Sequence, residues 1–110
     1  MAVRPLIICD PEPADETAWR ALWAQYIAFY EAEIPEKVTA LTWRHLIDPA
    51  APMFGRLALV AGEVLGFSIG VPHDSTWTLT PVCYLEGLFV APVATADDFV
   101  RYRRTLDEMD

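Results

Sequence analysis

Cysteine is scarce in this chain: two in 110 residues, Cys9 and Cys83. Two thiols at that separation point to neither a disulfide framework nor a zinc site. Basic residues are scarce too, eight against sixteen acidic ones, for a net charge of −8. That balance opposes binding to nucleic acid or to an anionic membrane surface through bulk charge, and it favours a cationic partner such as an amine. No apolar run approaches the roughly 20 residues that span a bilayer. The start, MAVRPLIICDPEP, lacks the charged flank and long apolar core of a signal peptide, so the expected compartment is cytoplasmic. There is no G-x-S-x-G turn, no P-loop and no paired Cys and His. His45 and His73 stand alone, so no metal site is expected. What the chain does have is apolar bulk, 54% of its residues. At this length that means one domain, burying about 65% of the surface its unfolded chain exposes.

The periodicity changes twice along the chain. Leu6-Ile7-Ile8 is a short apolar run ending at CDPEP, read as a first strand. In ADETAWRALWAQYIAFYEAE, apolar residues recur at Trp19, Leu22, Trp23, Tyr26, Ile27 and Tyr30, the spacing of a helix with a broad apolar face. Asp15 and Glu16 suit its positive end, and Pro35 closes the segment. TALTWRHLI, Thr39 to Ile47, reads as a second helix ended by DPAAP. GRLALVAGEVLGFSIGV then reads as two strands around Ala61-Gly62-Glu63, with VPHDST as the next turn. WTLTPVCYLEGLFV, Trp77 to Val90, reads as the next strand or pair of strand segments, and Gly66, Gly70 and Gly87 within these strands signal bulges or close backbone approach. TADDFVRYRRTLDEMD carries Phe99, Tyr102, Leu106 and Met109 at helical spacing behind a capping-box-like Thr95 and Asp98. The order is β–α–α–β–β–β–α.

That order, with the V-x-G-F hairpin in AGEVLGFSIG and the words YLE-x-LFV-x-P in YLEGLFVAP, resembles the GNAT superfamily of N-acetyltransferases over roughly their N-terminal two-thirds. The resemblance implies an α+β fold, a mostly antiparallel sheet flanked by helices and incomplete on its C-terminal side. It also implies transfer of an acetyl group from acetyl-CoA to a primary amine, of a small molecule or a peptide, without a covalent enzyme intermediate. The strand near Val82–Val90 would pair with the pantetheine arm through Leu88, Phe89 and Val90, with a backbone N–H of Leu88 or Phe89 polarising the thioester carbonyl. Glu86 is the candidate base for the amine; a solvent-facing or arginine-paired strand glutamate is the other reading of the same residue. Tyr30 and Glu31, from the first helix and the loop after it, and His73 are candidate substrate contacts. An aromatic core, a solvated loop and turn chemistry are their respective alternatives.

The resemblance also has a break. The family's pyrophosphate loop, [RQ]-x-x-G-x-[GA], falls on VATADDFV, which has no glycine, arginine or glutamine. Asp97 and Asp98 bring negative charge to the start of the helix predicted there, where an anion would otherwise sit. Two functional readings stay open on these grounds: an acetyl-CoA-dependent N-acetyltransferase, and a non-catalytic GNAT-like half-domain acting as a dimerising or protein-binding module. A long apolar strand left unpaired at a sheet edge is avoided in soluble proteins, which predicts a homodimer through the fourth strand.

Overall fold

The computed structural model describes residues 6–91. Within them lie four strands, β1 (Leu6–Cys9), β2 (Phe54–Val60), β3 (Glu63–His73) and β4 (Val82–Val90), and two helices, α1 (Glu16–Phe29) and α2 (Glu36–Ile47). The strands form one antiparallel sheet in chain order, β1-β2-β3-β4. This is the α+β arrangement expected from the sequence. The final helix and the VATADDFV segment lie outside the described residues. No helix among the described residues is long and apolar enough to cross a membrane.

Both helices pack on one face of the sheet because their apolar stripes demand a common partner. Trp19 and Leu22 of α1 and Trp43 and Leu46 of α2 join Leu57, Phe67 and Ile69 in a single core cluster. Trp19 is wholly buried and stacks on Trp23 at 5.1 Å, with Trp43 at 5.2 Å and Phe67 at 6.2 Å between ring centroids. Polar ties fix how the helices lie together. The Trp23 indole N–H donates to the Thr39 hydroxyl at 3.0 Å, and Arg20 bridges Glu16 and Glu36 at 2.9 and 2.7 Å. The arginine bridges are exposed and contribute little to stability; the half-buried Trp23–Thr39 bond is the firmer link.

Two boundaries differ from the sequence reading. Helix α2 begins at Glu36 rather than Thr39, because Pro35 takes the position before it with a φ of −57° and Glu36 suits the positive end of the helix. Strand β3 runs through Val71-Pro72-His73, where a turn is expected from Pro72 and His73. Those residues pair with Tyr84, Cys83 and Val82 of β4, so sheet pairing overrides the local turn signal.

The β2–β3 hairpin closes on two residues, Ala61 and Gly62, between the paired Val60 and Glu63. Both have positive φ, 53° and 80°, the signature of the mirror-image turn that matches strand twist. Glycine tolerates this and alanine does not, since its Cβ crowds the backbone in the left-handed region. Ala61→Asn, the residue most used at that position, is expected to stabilise the fold by about 0.5–1 kcal/mol. Urea unfolding should show a higher midpoint at unchanged m-value; a lower midpoint would contradict the turn assignment.

Candidate active site

The geometry of the site begins with one extra residue in β4. Ile69 of β3 pairs with Gly87 and Gly70 with Leu85, so Glu86 has no partner and forms a bulge. A bulge turns the extra side chain out of the alternation and bends its strand. Glu86 and Gly87, neighbours in sequence, consequently both line a cavity between β4 and the helices. A Cβ on Gly87 would meet the Tyr26 hydroxyl at 3.5 Å, an ordinary contact.

The cavity has a volume of about 360 Å³. Trp23, Tyr26 and Tyr30 of α1 form one side, Val38 and Thr42 of α2 another, and Ile34, Met53 and Ile69 close it. The three α1 aromatics sit three and four residues apart, which puts them on one helical face. Their rings meet edge to face, Trp23 with Tyr26 at 5.4 Å and Tyr26 with Tyr30 at 5.1 Å. Phe67 and Phe89 pack behind Tyr26 at 5.6 and 6.2 Å. Burial, then the fields of Tyr30, Glu86 and Tyr84, push the Tyr26 phenol above its ordinary pKa. Its hydroxyl therefore stays a proton donor at neutral pH.

The end of α1 gives the cavity its rim. The N–H of Glu31 donates to the carbonyl of Ala28 and that of Ala32 to Ile27, both at 3.1 Å, the paired bonds of a Schellman cap. Glu31 sits at the position that glycine usually fills, with a φ of 54°. Ala32 and Ile27, brought together by this cap, both face the cavity.

Of the residues singled out in the sequence, Glu86 and Tyr30 meet at this cavity. Glu31 is exposed, and its backbone forms the cap without its side chain lining the cavity. His73 ends β3 opposite Val82, exposed, with its Nδ1 3.0 Å from the carbonyl of Asp74, and it does not line the cavity. Leu88, Phe89 and Val90 follow the bulge; β3 occupies one edge of β4, and the other edge has no strand beside it among the described residues. Trp23 and Tyr26, placed by the sequence on the apolar face of the first helix, serve as both core packing and cavity wall. Thr42 and Met53 were missed; neither has a sequence signal separating a wall residue from a buried one. Among the described residues no three His, Cys, Asp or Glu side chains cluster as a metal site.

The fold of the described residues has counterparts among solved structures. The aminoglycoside N-acetyltransferase AAC(6')-Iy, in complex with a bisubstrate analog, superposes with a TM-score of 0.75 at 19% identity, covering 96% of this chain and 70% of that one. A possible acetyltransferase from Clostridium difficile 630 gives a TM-score of 0.77 at 10% identity, over 94% and 68% of the two chains. In sequence, the D-amino-acid N-acetyltransferase HPA3 of Saccharomyces cerevisiae is 35% identical over 87 residues, 77% of this chain. This chain is a relative of the GNAT N-acetyltransferases. It spans 54% of the length of the yeast relative. No family model matches it. In GNAT terms the described residues comprise the first four strands and first two helices, with the cavity beside the fourth strand.

The backbone of Glu31 yields a test that separates cap from ligand. Glu31→Gly should stabilise the domain by about 0.5–1 kcal/mol by relieving the left-handed glutamate. Thermal unfolding with the variant and the parent checks this. A lower midpoint would show that the side chain contributes more than the cap geometry does.

Proposed function

We propose that this chain takes part in transfer of an acetyl group from acetyl-CoA to a primary amine bound in the α1–β4 cavity. The observation that carries the reading is the bulge at Glu86, which sets an exposed glutamate beside an aromatic cavity, directly before a strand stretch whose other edge has no strand beside it among the described residues. Homology to a D-amino-acid N-acetyltransferase supports the reaction class.

The residues present fit the acyl end of the co-substrate. Past the bulge, alternate residues of Leu88–Val90 direct their N–H and C=O groups to the edge of β4 that has no strand beside it among the described residues, and these match the amides of a pantetheine arm, which pairs as an added strand would. Acetyl-CoA supplies an activated acyl carbon when bound. A backbone N–H of Leu88 or Phe89 would donate to the thioester oxygen as it gains negative charge. Glu86 would take the proton that an ammonium must lose before its nitrogen can attack. The new N–C bond forms as the C–S bond breaks, the second amine proton goes to the departing sulfur, and the net release is one proton.

A second reading has its own support. VATADDFV carries no glycine to wrap a pyrophosphate. On this reading the chain is a non-catalytic module whose β4 edge pairs with a second copy.

Ligand-induced stabilisation separates the two. Acetyl-CoA at 100 times its dissociation constant adds about 2.7 kcal/mol, and each kcal/mol raises the midpoint by roughly 4–8 °C for a domain of this size. The transferase reading expects a clear rise, together with an acetylated amine detected by mass spectrometry. Glu86→Gln should then lower kcat/KM by about 10²–10⁴ while the thermal shift by acetyl-CoA persists. No rise at millimolar acetyl-CoA, with a dimer mass by light scattering, would move the assignment to the module.

A further inference from the structure

We infer that the cavity selects an amine bearing one positive charge on an apolar or aromatic body, in preference to an amino acid or a polyamine. The inference rests on the acceptor reading of the same cavity and goes further in naming the acceptor's chemistry. Among the described residues, Glu86 is the one charged side chain on the wall; the remainder is aromatic or aliphatic apart from the Tyr26, Tyr30 and Thr42 hydroxyls. One carboxylate neutralises one ammonium. The ring faces of Trp23, Tyr26 and Tyr30 add attraction for a cation and an apolar surface for the body that carries it.

The same wall disfavours the two obvious competitors. The carboxylate of an amino acid hangs on the carbon that bears the amine. With the nitrogen at Glu86, it would fall within about 4–6 Å of that carboxylate, where like charge is disfavoured. The indole N–H of Trp23 is already committed to Thr39 at 3.0 Å, which leaves only the neutral hydroxyls of Tyr26, Tyr30 and Thr42 to face that carboxylate, with no cation on the wall among the described residues. A polyamine would carry its second ammonium along apolar side chains, where no second carboxylate lines the wall among the described residues to meet it. A volume of about 360 Å³, near the lower end of ligand sites at roughly 300–1,000 Å³, also suits a small compact body. Acetyl transfer to such an amine balances as above: the ammonium loses one proton to Glu86, N–C forms, C–S breaks, and the second nitrogen proton goes to sulfur.

Calorimetric binding of phenethylamine, D-phenylalanine and spermidine to the whole chain, with and without CoA, tests the inference apart from turnover. Phenethylamine should bind at least about 10-fold tighter than either competitor, the scale of a single well-placed discrimination. Glu86→Gln should weaken phenethylamine by about 10-fold and leave the neutral phenethyl alcohol unchanged, whereas Tyr30→Ala should weaken both. Equal or tighter binding of D-phenylalanine or spermidine, or no binding of phenethylamine in either condition, overturns the inference. Phenethylamine bound but never acetylated would support the selectivity and sink the transferase reading. D-phenylalanine bound and acetylated best would do the reverse.

Discussion

One unpaired residue in β4 organises the functional half of this molecule. Were Glu86 part of a regular ladder, it would alternate with Leu85 and Gly87, and either the glutamate or the glycine would face away from the helices. The offset between Ile69↔Gly87 and Gly70↔Leu85 breaks that alternation. It delivers a carboxylate and an open stretch of wall to the same cavity, and it marks where the strand bends. The cavity is then filled out by α1, whose Tyr26 packs over Gly87, where even a Cβ would make only ordinary contact with its ring.

The core holds α1 in that position at a visible cost. The Trp19 Nε1–H is buried without a hydrogen-bond partner among the described residues. Leaving a buried donor unpaired costs about 1–3 kcal/mol. Trp19 also meets three aromatic rings, each pair contributing about 0.5–1.5 kcal/mol beyond burial, so packing offsets the orphan donor. Trp23 resolves the same problem differently, through the Thr39 hydroxyl, and so ties α1 to α2 on the side where the cavity opens. Core and site are thus one aromatic array: Phe67 touches Trp19 on the structural side and Tyr26 on the functional side.

Much of this was legible in the sequence, for reasons that can be named. The spacing of Trp19, Leu22, Trp23 and Tyr26 is local information, and so is the hairpin at Ala61-Gly62; both elements stand where expected. Strand β4 occupies Val82–Val90, the bounds the family resemblance implied, whereas the residue pattern alone began at Trp77, where the chain turns instead. The extension of β3 through His73 was not legible, because its cause is pairing with residues nine and more positions away. The bulge was half legible: Gly87 hinted at irregularity, but which residue loses its partner depends on register across two strands. Glu31 shows the opposite failure. Its charge drew attention to the side chain, whereas its place after a helix terminus, with a left-handed backbone, is what the fold uses.

The free edge of β4 links the two functional readings and sets them against each other. A strand edge offers one set of unpaired N–H and C=O groups, and an added strand uses them whether it is a pantetheine arm or a second copy of the chain. Pairing of two copies along Leu88–Val90 would consume the groups that the co-substrate needs. The bulge at Glu86 divides the strand, however, leaving Val82–Leu85 on its far side with a different direction and twist. A dimer that pairs only along Val82–Leu85 is compatible with an acyl donor beyond the bulge. One that runs the length of β4 is not. On these two readings, pairing of copies and binding of the acyl donor draw on one strand edge, and the position of Glu86 decides where that edge divides.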